Sequence, residues 1–294
     1  MKTLIAATDF SQPSVNAVNY AADMAKAMNG KLILFNAVPV PIAISEIPVP
    51  EANLEDMLTG AVRELDALKD KLILRTKGKI EISTEALMGS FADKIDQISD
   101  KYSPFAIVMG IAEGKPIARF LMGSNTFYAI KKISNPILII PEKASFRPID
   151  KIGLAADLED VTGTIPFKLV SEWVSEFKST LQIIHVNRNR KVQKASEIGE
   201  AISLQSHLHK FHPSFEYLTG DNLAEKLNEY AKEHNLDLLM VAPRHHGFLG
   251  LFDKKHSKEI ILHQEIPILA IHSSKSSKEF SQATSRDSAE SAHT

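Results

Sequence analysis

The sequence predicts an α/β fold in which two similar domains follow one another, each built on a parallel sheet. Short continuous apolar runs of strand length alternate with longer segments of helical spacing. This alternation fills the first half of the chain and then starts again at Lys151. The length of 294 residues is enough for two domains of ordinary size.

The first β-α-β unit is the clearest part of the pattern. Thr3–Ala7 is a continuous apolar run, which is typical of a buried parallel strand. A helix is predicted after it, with Ser11 as the N-cap, Pro13 in the first turn and Asn29-Gly30 at the end. Lys31–Val38 is the next predicted strand, so the crossover is right-handed and the two strands are parallel.

The rest of the first domain continues the alternation of strands and helices. Residues 53–74 predict a helix whose inner face carries Leu54, Leu58, Val62, Leu65 and Leu68. A strand at 80–86, a helix at Phe91–Tyr102, a strand at 105–109, a helix at 126–133 and a strand at 135–140 follow. The first domain is therefore predicted to contain five strands and four helices.

The second half repeats this order of segments. Residues 151–157, 181–186, 237–242 and 266–271 correspond to the first-half strands at 2–9, 32–38, 104–110 and 135–140, with helices at 166–177 and 223–234. We interpret this as an internal duplication of about 140 residues, a period too long for a solenoid. The predicted domains are residues 1–145 and 150–273. Residues 274–294 are rich in Ser, Lys, Glu and Ala, which predicts a disordered tail.

Composition narrows the class of protein. A net charge of −2 gives no electrostatic footprint for nucleic acid. No apolar run approaches the length of a membrane span, and the N-terminus enters a strand pattern directly, so neither a membrane segment nor a signal peptide is expected. The absence of cysteine excludes disulfides, thiolate metal sites and cysteine nucleophiles. A cytoplasmic protein is the expectation.

Asp9 is the first candidate binding residue because it follows the first predicted strand. Ligands of open α/β sheets bind beyond the carboxyl ends of the strands, where the strand order reverses. A carboxylate at this place can accept hydrogen bonds from a ribose or a base. The alternative is a carboxylate that only stabilises the start of the next helix, and the residues leave both interpretations open.

Gly110, Gly114 and Gly123-Ser124 form a candidate phosphate cradle. Gly123-Ser124 opens a predicted helix, whose first N–H groups point at an anion. Gly110 has no Cβ and lets the backbone approach a ligand closely. The alternative is a surface loop with glycines at turn positions.

Three stretches together resemble the universal stress protein family. They are Ala-Thr-Asp-Phe-Ser at 7–11, Val108-Met109-Gly110 with Gly123-Ser124, and the Asn-Pro-Ile-Leu-Ile-Ile run at 135–140. The duplicated chain resembles the tandem-domain members of that family. The resemblance implies two Rossmann-like domains of the adenine nucleotide alpha hydrolase-like type, each a five-stranded parallel sheet with helices on both faces. Many members of the family bind ATP or AMP.

The resemblance also implies a set of site residues in the first domain. ATP-binding members carry G-x2-G-x9-G-S/T, in which Gly110 and Gly123-Ser124 match the outer positions. Glu113 stands at the middle glycine position, and Gly114 follows it by one residue. By analogy, Asp9 would contact the adenosine, Ala7, Ala37 and Met109 would line or adjoin its pocket, and Gly110, Gly114, Gly123, Ser124 and Asn125 would lie at the phosphates.

The second copy departs from this pattern. Asp157 and Val186 keep the pocket end, but Ala242 replaces Gly110 and His256-Ser257 replaces the glycine-serine pair. We expect this copy to have lost the phosphate cradle and to serve a structural or another recognition role.

All 11 histidines lie in the second half of the chain. His207, His209 and His212 are closely spaced, and His245-His246 lies in the altered loop. Metal binding and ordinary exposed histidines are the two interpretations, and the second is favoured because no carboxylate or cysteine completes a recognisable ligand spacing.

No catalytic motif is recognised, and Ser11, Ser14 and Ser124 are explained as helix caps. The expected function is a nucleotide-responsive regulatory module that uses ATP or AMP, needs no metal and acts on an unknown protein partner in a stress response. The alternatives are weak ATP hydrolysis at the same site and a nucleotide-independent scaffold. The two copies are expected to form an intramolecular pseudo-dimer through their final strands, and a homodimer is left open.

Overall fold

The computed structural model of the protein describes residues 1–40, 51–112, 124–187, 195–220, 222–242 and 265–272. The chain divides into two compact units, Met1–Arg147 and Pro148–Thr294, called domain 1 and domain 2 below. The predicted tail at 274–294 and the altered loop with His245-His246 and His256-Ser257 lie outside the described residues. Within the described ranges, no helix combines the length and the apolar character that crossing a membrane requires.

Domain 1 is a parallel sheet with helices between its strands. The strands are β1 (Thr3–Ala7), β2 (Lys31–Val38), β3 (Glu81–Met88), β4 (Ala106–Ile111) and β5 (Ile137–Pro141). The helices are α1 (Gln12–Ala27), α2 (Glu51–Thr76), α3 (Phe91–Tyr102) and α4 (Ser124–Lys132). The strand order is β3-β2-β1-β4-β5, and all neighbours are parallel. This confirms the predicted fold class.

Helices cover both faces of this sheet, as the resemblance implied. Ala7 of β1 and Phe35 of β2 are register partners, so their side chains point to the same face. The Phe35 ring centroid lies 6.2 Å from that of Phe91, which places α3 on this face. On the opposite face, Gly110 of β4 lies against Pro13 at the start of α1. Helix α2 packs beside α1, and α4 packs beside α3.

Two helix boundaries have clear local causes. Helix α1 ends because Asn29 adopts a left-handed φ of 49°, which lets the Gly30 N–H donate back to the Ala25 carbonyl at 2.8 Å. Helix α3 begins after Ser90, whose hydroxyl oxygen accepts from the Asp93 N–H at 3.2 Å. Both boundaries agree with the sequence prediction.

The inner face of α2 is partly different from the predicted one. Val62 is 40% exposed, whereas Ala61, Leu65, Leu68 and Leu72 are buried. The helix continues to Thr76, and its buried stripe runs through Ala61 and Leu72, so Val62 lies one position off the stripe. Val62 was therefore wrongly placed on the core side.

Domain 2 repeats the architecture of domain 1. Its strands are β6 (Lys151–Ala155), β7 (Thr180–Asn187), β8 (Ser214–Thr219), β9 (Leu238–Val241) and β10 (Ile268–Ala270), in the parallel order β10-β9-β6-β7-β8. Its helices are α5 (Val161–Thr164), α6 (Phe167–Phe177), α7 (Ala195–Leu208) and α8 (Leu223–Glu233), with a 3-10 turn at His209–Phe211. The sequence pattern had not singled out α5, α7 or β8.

The duplication extends to single backbone hydrogen bonds. The Thr8 N–H donates to the Phe35 carbonyl at 2.9 Å in domain 1, and the Ala156 N–H donates to the Ile184 carbonyl at 3.0 Å in domain 2. Each bond joins the residue just beyond the first strand of its domain to the second strand. The two domains therefore share the backbone hydrogen bond that joins the ends of their first two strands.

Candidate functional site

Domain 1 contains a cavity at the carboxyl ends of β1 and β4, where the strand order reverses. Six of the site residues named from the sequence line it: Ala7, Asp9, Ala37, Met109, Gly110 and Asn125. Gly114 and Gly123 lie outside the described residues. Ser124 is the first residue of α4, and its side chain is not among those described.

One side of the cavity is apolar. Ala7 and Phe35 point to the same face of the sheet, and Ala37 shares this direction because it is two residues beyond Phe35. Met109 on β4 and Phe91 at the start of α3 complete this side. The side chains of Ala7 and Ala37 are small, so they leave open space between the larger side chains that line the cavity.

Asp9 supplies the carboxylate at the open edge of the cavity, where its side chain is exposed. Its Oδ1 accepts from the Ser11 N–H at 3.1 Å and from the Ser11 hydroxyl at 2.5 Å. Burial tends to raise the pKa of Asp9, but hydrogen bonds from Ser11 and Ser14 outweigh it and leave the pKa below its usual value. The group is therefore an anion at neutral pH, with Oδ1 fixed by the turn.

The structure confirms Ser11 as the N-cap residue of α1 and corrects the interpretation of Ser14 as a cap. Ser11 occupies the N-cap position, but its side chain caps no N–H of α1 and instead donates to Asp9. Ser14 is the third residue of α1, and its hydroxyl donates to the Ser11 carbonyl at 3.0 Å and lies 2.9 Å from the Thr8 hydroxyl. These contacts hold the turn between β1 and α1, in which Phe10 has a φ of 64°.

The structure shows a packing requirement for glycine at position 110 that the sequence did not reveal. A Cβ at this position would lie 2.2 Å from the Pro13 carbonyl oxygen and 2.8 Å from the Ser14 nitrogen. The space beside Gly110 is therefore taken by the backbone of α1. Glycine is needed here so that β4 and the start of α1 can touch, and this contact closes one end of the cavity.

The first turn of α4 adds a favourable place for an anion. Asn125 and Thr126 both line the cavity, and Thr126 is buried. Helix α4 begins at Ser124, so the N–H groups of its first turn and the positive end of its dipole lie beside the cavity. An anionic group could bind here while an apolar ring lies on the opposite, apolar side.

Several lining residues were missed by the sequence reasoning: Thr8, Ser14, Phe35, Phe91 and Thr126. They come from parts of the chain that meet only when the sheet forms. The signal that could have located the aromatic pair was the position of Phe35 near the end of a predicted strand and of Phe91 at the start of a predicted helix.

The connection that follows the first strand is longer and more deeply buried in domain 2 than in domain 1. Four residues (8–11) connect β1 to α1, but 11 residues (156–166) connect β6 to α6. This longer connection contains Leu158, Val161 and Ile165, which are at most 3% exposed. Asp157 is 6% exposed, in contrast to the exposed Asp9.

The described histidines of domain 2 make local contacts. His207 Nδ1 lies 2.8 Å from the Ser203 carbonyl oxygen, and the ring stacks on Phe167 with centroids 4.2 Å apart. His209 Nδ1 lies 2.7 Å from the Ser206 carbonyl oxygen. Among the residues with described positions, no three His, Cys, Asp or Glu side chains come together in a way that could hold a metal ion.

Comparisons with known proteins agree with this architecture. A sequence model of the universal stress protein family matches residues 1–141, which include every strand and helix of domain 1. A universal stress protein from Methanocaldococcus jannaschii is 26% identical over 141 residues, covering 47% of this chain and 81% of that protein.

Solved structures are similar over most of the chain. A universal stress protein from Archaeoglobus fulgidus has a TM-score of 0.68 at 13% identity and covers 92% of this chain and 98% of its own. A functionally unknown protein from Pseudomonas aeruginosa has a TM-score of 0.59 at 12% identity, with coverage of 97% and 98%. Both show that the two-domain fold occurs in other chains. Residues 1–141 of this chain therefore belong to the universal stress protein family, and the chain carries a second domain of the same fold.

Proposed function

We propose that domain 1 binds an adenine nucleotide, ATP or AMP, and that the protein acts as a nucleotide-responsive regulatory module of a stress response. The observation that carries the proposal is the cavity at the reversal of strand order. There an apolar side, a carboxylate and a helix N-terminus lie at one sheet edge. Membership of the universal stress protein family supports the same role.

Each side of the cavity suits one part of a nucleotide. The apolar side, with Ala7, Ala37 and Met109, would take the base. The Asp9 carboxylate would accept hydrogen bonds from ribose hydroxyls, because it is exposed at the cavity and both bonds from Ser11 go to Oδ1. The start of α4, with Asn125, would lie at the phosphate.

Isothermal titration of the purified full chain with AMP, ATP and adenosine tests this proposal. We expect saturable heat with all three ligands. Asp9→Asn keeps an oxygen for Ser11 and removes the charge, so it should weaken adenosine binding about tenfold through the loss of a charge-assisted hydrogen bond.

Asp70→Asn is the matched control, because Asp70 is an exposed carboxylate of α2 in the same domain and does not line the cavity. This variant should bind as the unchanged protein does. If no ligand gives heat at protein concentrations of about 100 μM, and no nucleotide is released on denaturation, the protein is a nucleotide-independent scaffold and the proposal is wrong.

A further inference from the structure

We propose that Phe91 forms the wall on which the base stacks, and that this wall makes the site prefer a purine to a pyrimidine. The inference rests on the nucleotide binding proposed above. It assigns a specificity-determining role to a residue that lies 54 positions beyond Ala37 and outside the glycine motif.

The sheet register defines a slot beside Phe91. Ala7 pairs with Phe35 on one side, and the register of β1 with β4 continues from Ala6 and Val108 towards Ala7 and Met109. Phe35 and Met109 therefore stand on either side of Ala7, two strand spacings or about 10 Å apart at the backbone. The methyl group of Ala7 leaves the space between them open for a flat ring.

Phe91, not Phe35, has the face that a ligand can reach. Phe35 is 0% exposed, so its ring is covered by protein. Phe91 is only half-buried and lines the cavity, with its ring centroid 6.2 Å from that of Phe35 and the two planes tilted by 42°. The buried ring thus lies beside the outer one, which is partly exposed and lines the cavity.

The start of α3 holds this ring in place. Phe91 is the first residue of the helix and directly follows Ser90, which accepts from the Asp93 N–H at 3.2 Å and donates to the Asp93 carboxylate at 2.6 Å. A side chain on a capped helix start loses little freedom when a ligand binds, which favours stacking. Because a purine covers more of a phenyl face than a pyrimidine does, the wall would favour AMP over CMP.

The test compares Phe91→Leu with Phe91→Tyr in titrations with AMP, CMP and ribose 5-phosphate. Leucine keeps an apolar side chain but has no aromatic face, whereas tyrosine keeps the ring. We expect Phe91→Leu to weaken the binding of AMP about tenfold, to weaken the binding of CMP less, and to leave the binding of ribose 5-phosphate unchanged. It should also abolish the fall in adenine absorbance that stacking causes. Phe91→Tyr should keep both the affinity and the absorbance change.

Three outcomes would overturn the inference. If Phe91→Leu binds AMP as the unchanged protein does, Phe91 is not the wall. If the variant weakens the binding of AMP and of ribose 5-phosphate equally, the change acts through the position of α3 and not through stacking. In both cases nucleotide binding itself stands. If the unchanged protein binds neither AMP nor CMP, the proposed function fails together with this inference.

Discussion

The absent side chain of Gly110 allows β4 to lie directly against the first turn of α1. Its backbone neighbours are the carbonyl group of Pro13 and the nitrogen of Ser14, which cannot rotate away as the end of a long side chain can. Because Gly110 carries a hydrogen atom where other residues carry a Cβ, β4 and α1 can lie this close together, and both border the cavity.

Gly110→Ala should destabilise domain 1 by about 1–3 kcal/mol, because the added methyl group overpacks a rigid contact. Urea unfolding followed by far-UV circular dichroism measures this loss. The only tryptophan, Trp173, is buried in α6 of domain 2, so its fluorescence provides an internal reference that should change little.

Gly60→Ala is the matched control in the same domain. Gly60 lies inside α2, and a Cβ there would meet nothing within 4 Å. This exchange should stabilise domain 1 by about 0.5–1 kcal/mol through helix propensity. Equal effects of the two exchanges would contradict the packing role of Gly110.

At the residue scale, the sequence predicted which residues line the cavity better than it predicted the contacts that these residues make. Asp9 and Gly110 were identified by their positions after apolar strands, which is a local signal. The contacts of Gly110 with Pro13 and of Ser14 with Thr8 depend on the angle between α1 and the sheet. A one-dimensional pattern does not contain this angle, so it did not reveal the packing role of Gly110, and the interpretation of Ser14 as a cap was wrong.

At the level of elements, one buried side chain in each domain ties the ends of the first two strands together. Asn36 Nδ2 donates to the Thr8 carbonyl at 2.7 Å, and the side chain is 8% exposed. In domain 2, His185 Nδ1 lies 3.1 Å from the Ala156 carbonyl oxygen and the side chain is 5% exposed. An imidazole that donates to a carbonyl oxygen must carry the proton on Nδ1.

Asn36→Leu should destabilise domain 1 by about 1–3 kcal/mol, because it leaves the Thr8 carbonyl without its side-chain donor. Asn36→His should cost clearly less, since histidine already performs this task at the equivalent place in domain 2. Circular dichroism in urea, with Trp173 fluorescence as the reference, measures both. A larger loss with histidine than with leucine would show that ring volume, and not the hydrogen bond, decides stability at this position.

The elements that were predicted correctly have strong local signals. Thr3–Ala7 is a short apolar run with a clear end, and Phe91–Tyr102 has a serine cap and regular apolar spacing. Helix α7 and strand β8 were missed because their apolar pattern is weak: Ile202 of α7 is 62% exposed and Tyr217 of β8 is 44% exposed. Such elements bury less of their surface, so the periodicity of apolar residues in their sequence predicts them less well.

For the whole molecule, the two domains share a strand order but differ at the edge where a ligand would bind. In domain 2, Leu158, Val161 and Ile165 are packed into the connection that follows β6. Glu200 of α7 adds a further link, since its Oε2 accepts from the Val161 N–H at 2.8 Å. Domain 2 therefore carries packed apolar side chains in the connection that is short in domain 1.

We therefore expect one molecule of AMP per chain of 294 residues. Titration of a concentrated protein solution gives this number directly. Photo-crosslinking with 8-azido-AMP, followed by peptide mapping, should label peptides of Met1–Arg147 only. A stoichiometry near two, or labelling of the peptide that contains Asp157, would contradict a single site in domain 1.

A single nucleotide site in domain 1 would also decide the form of the response to nucleotide concentration. Cooperativity needs at least two coupled sites, and a chain that has one site fills along a simple hyperbola. Such a chain would respond gradually to a change in nucleotide concentration and would not switch abruptly at a threshold.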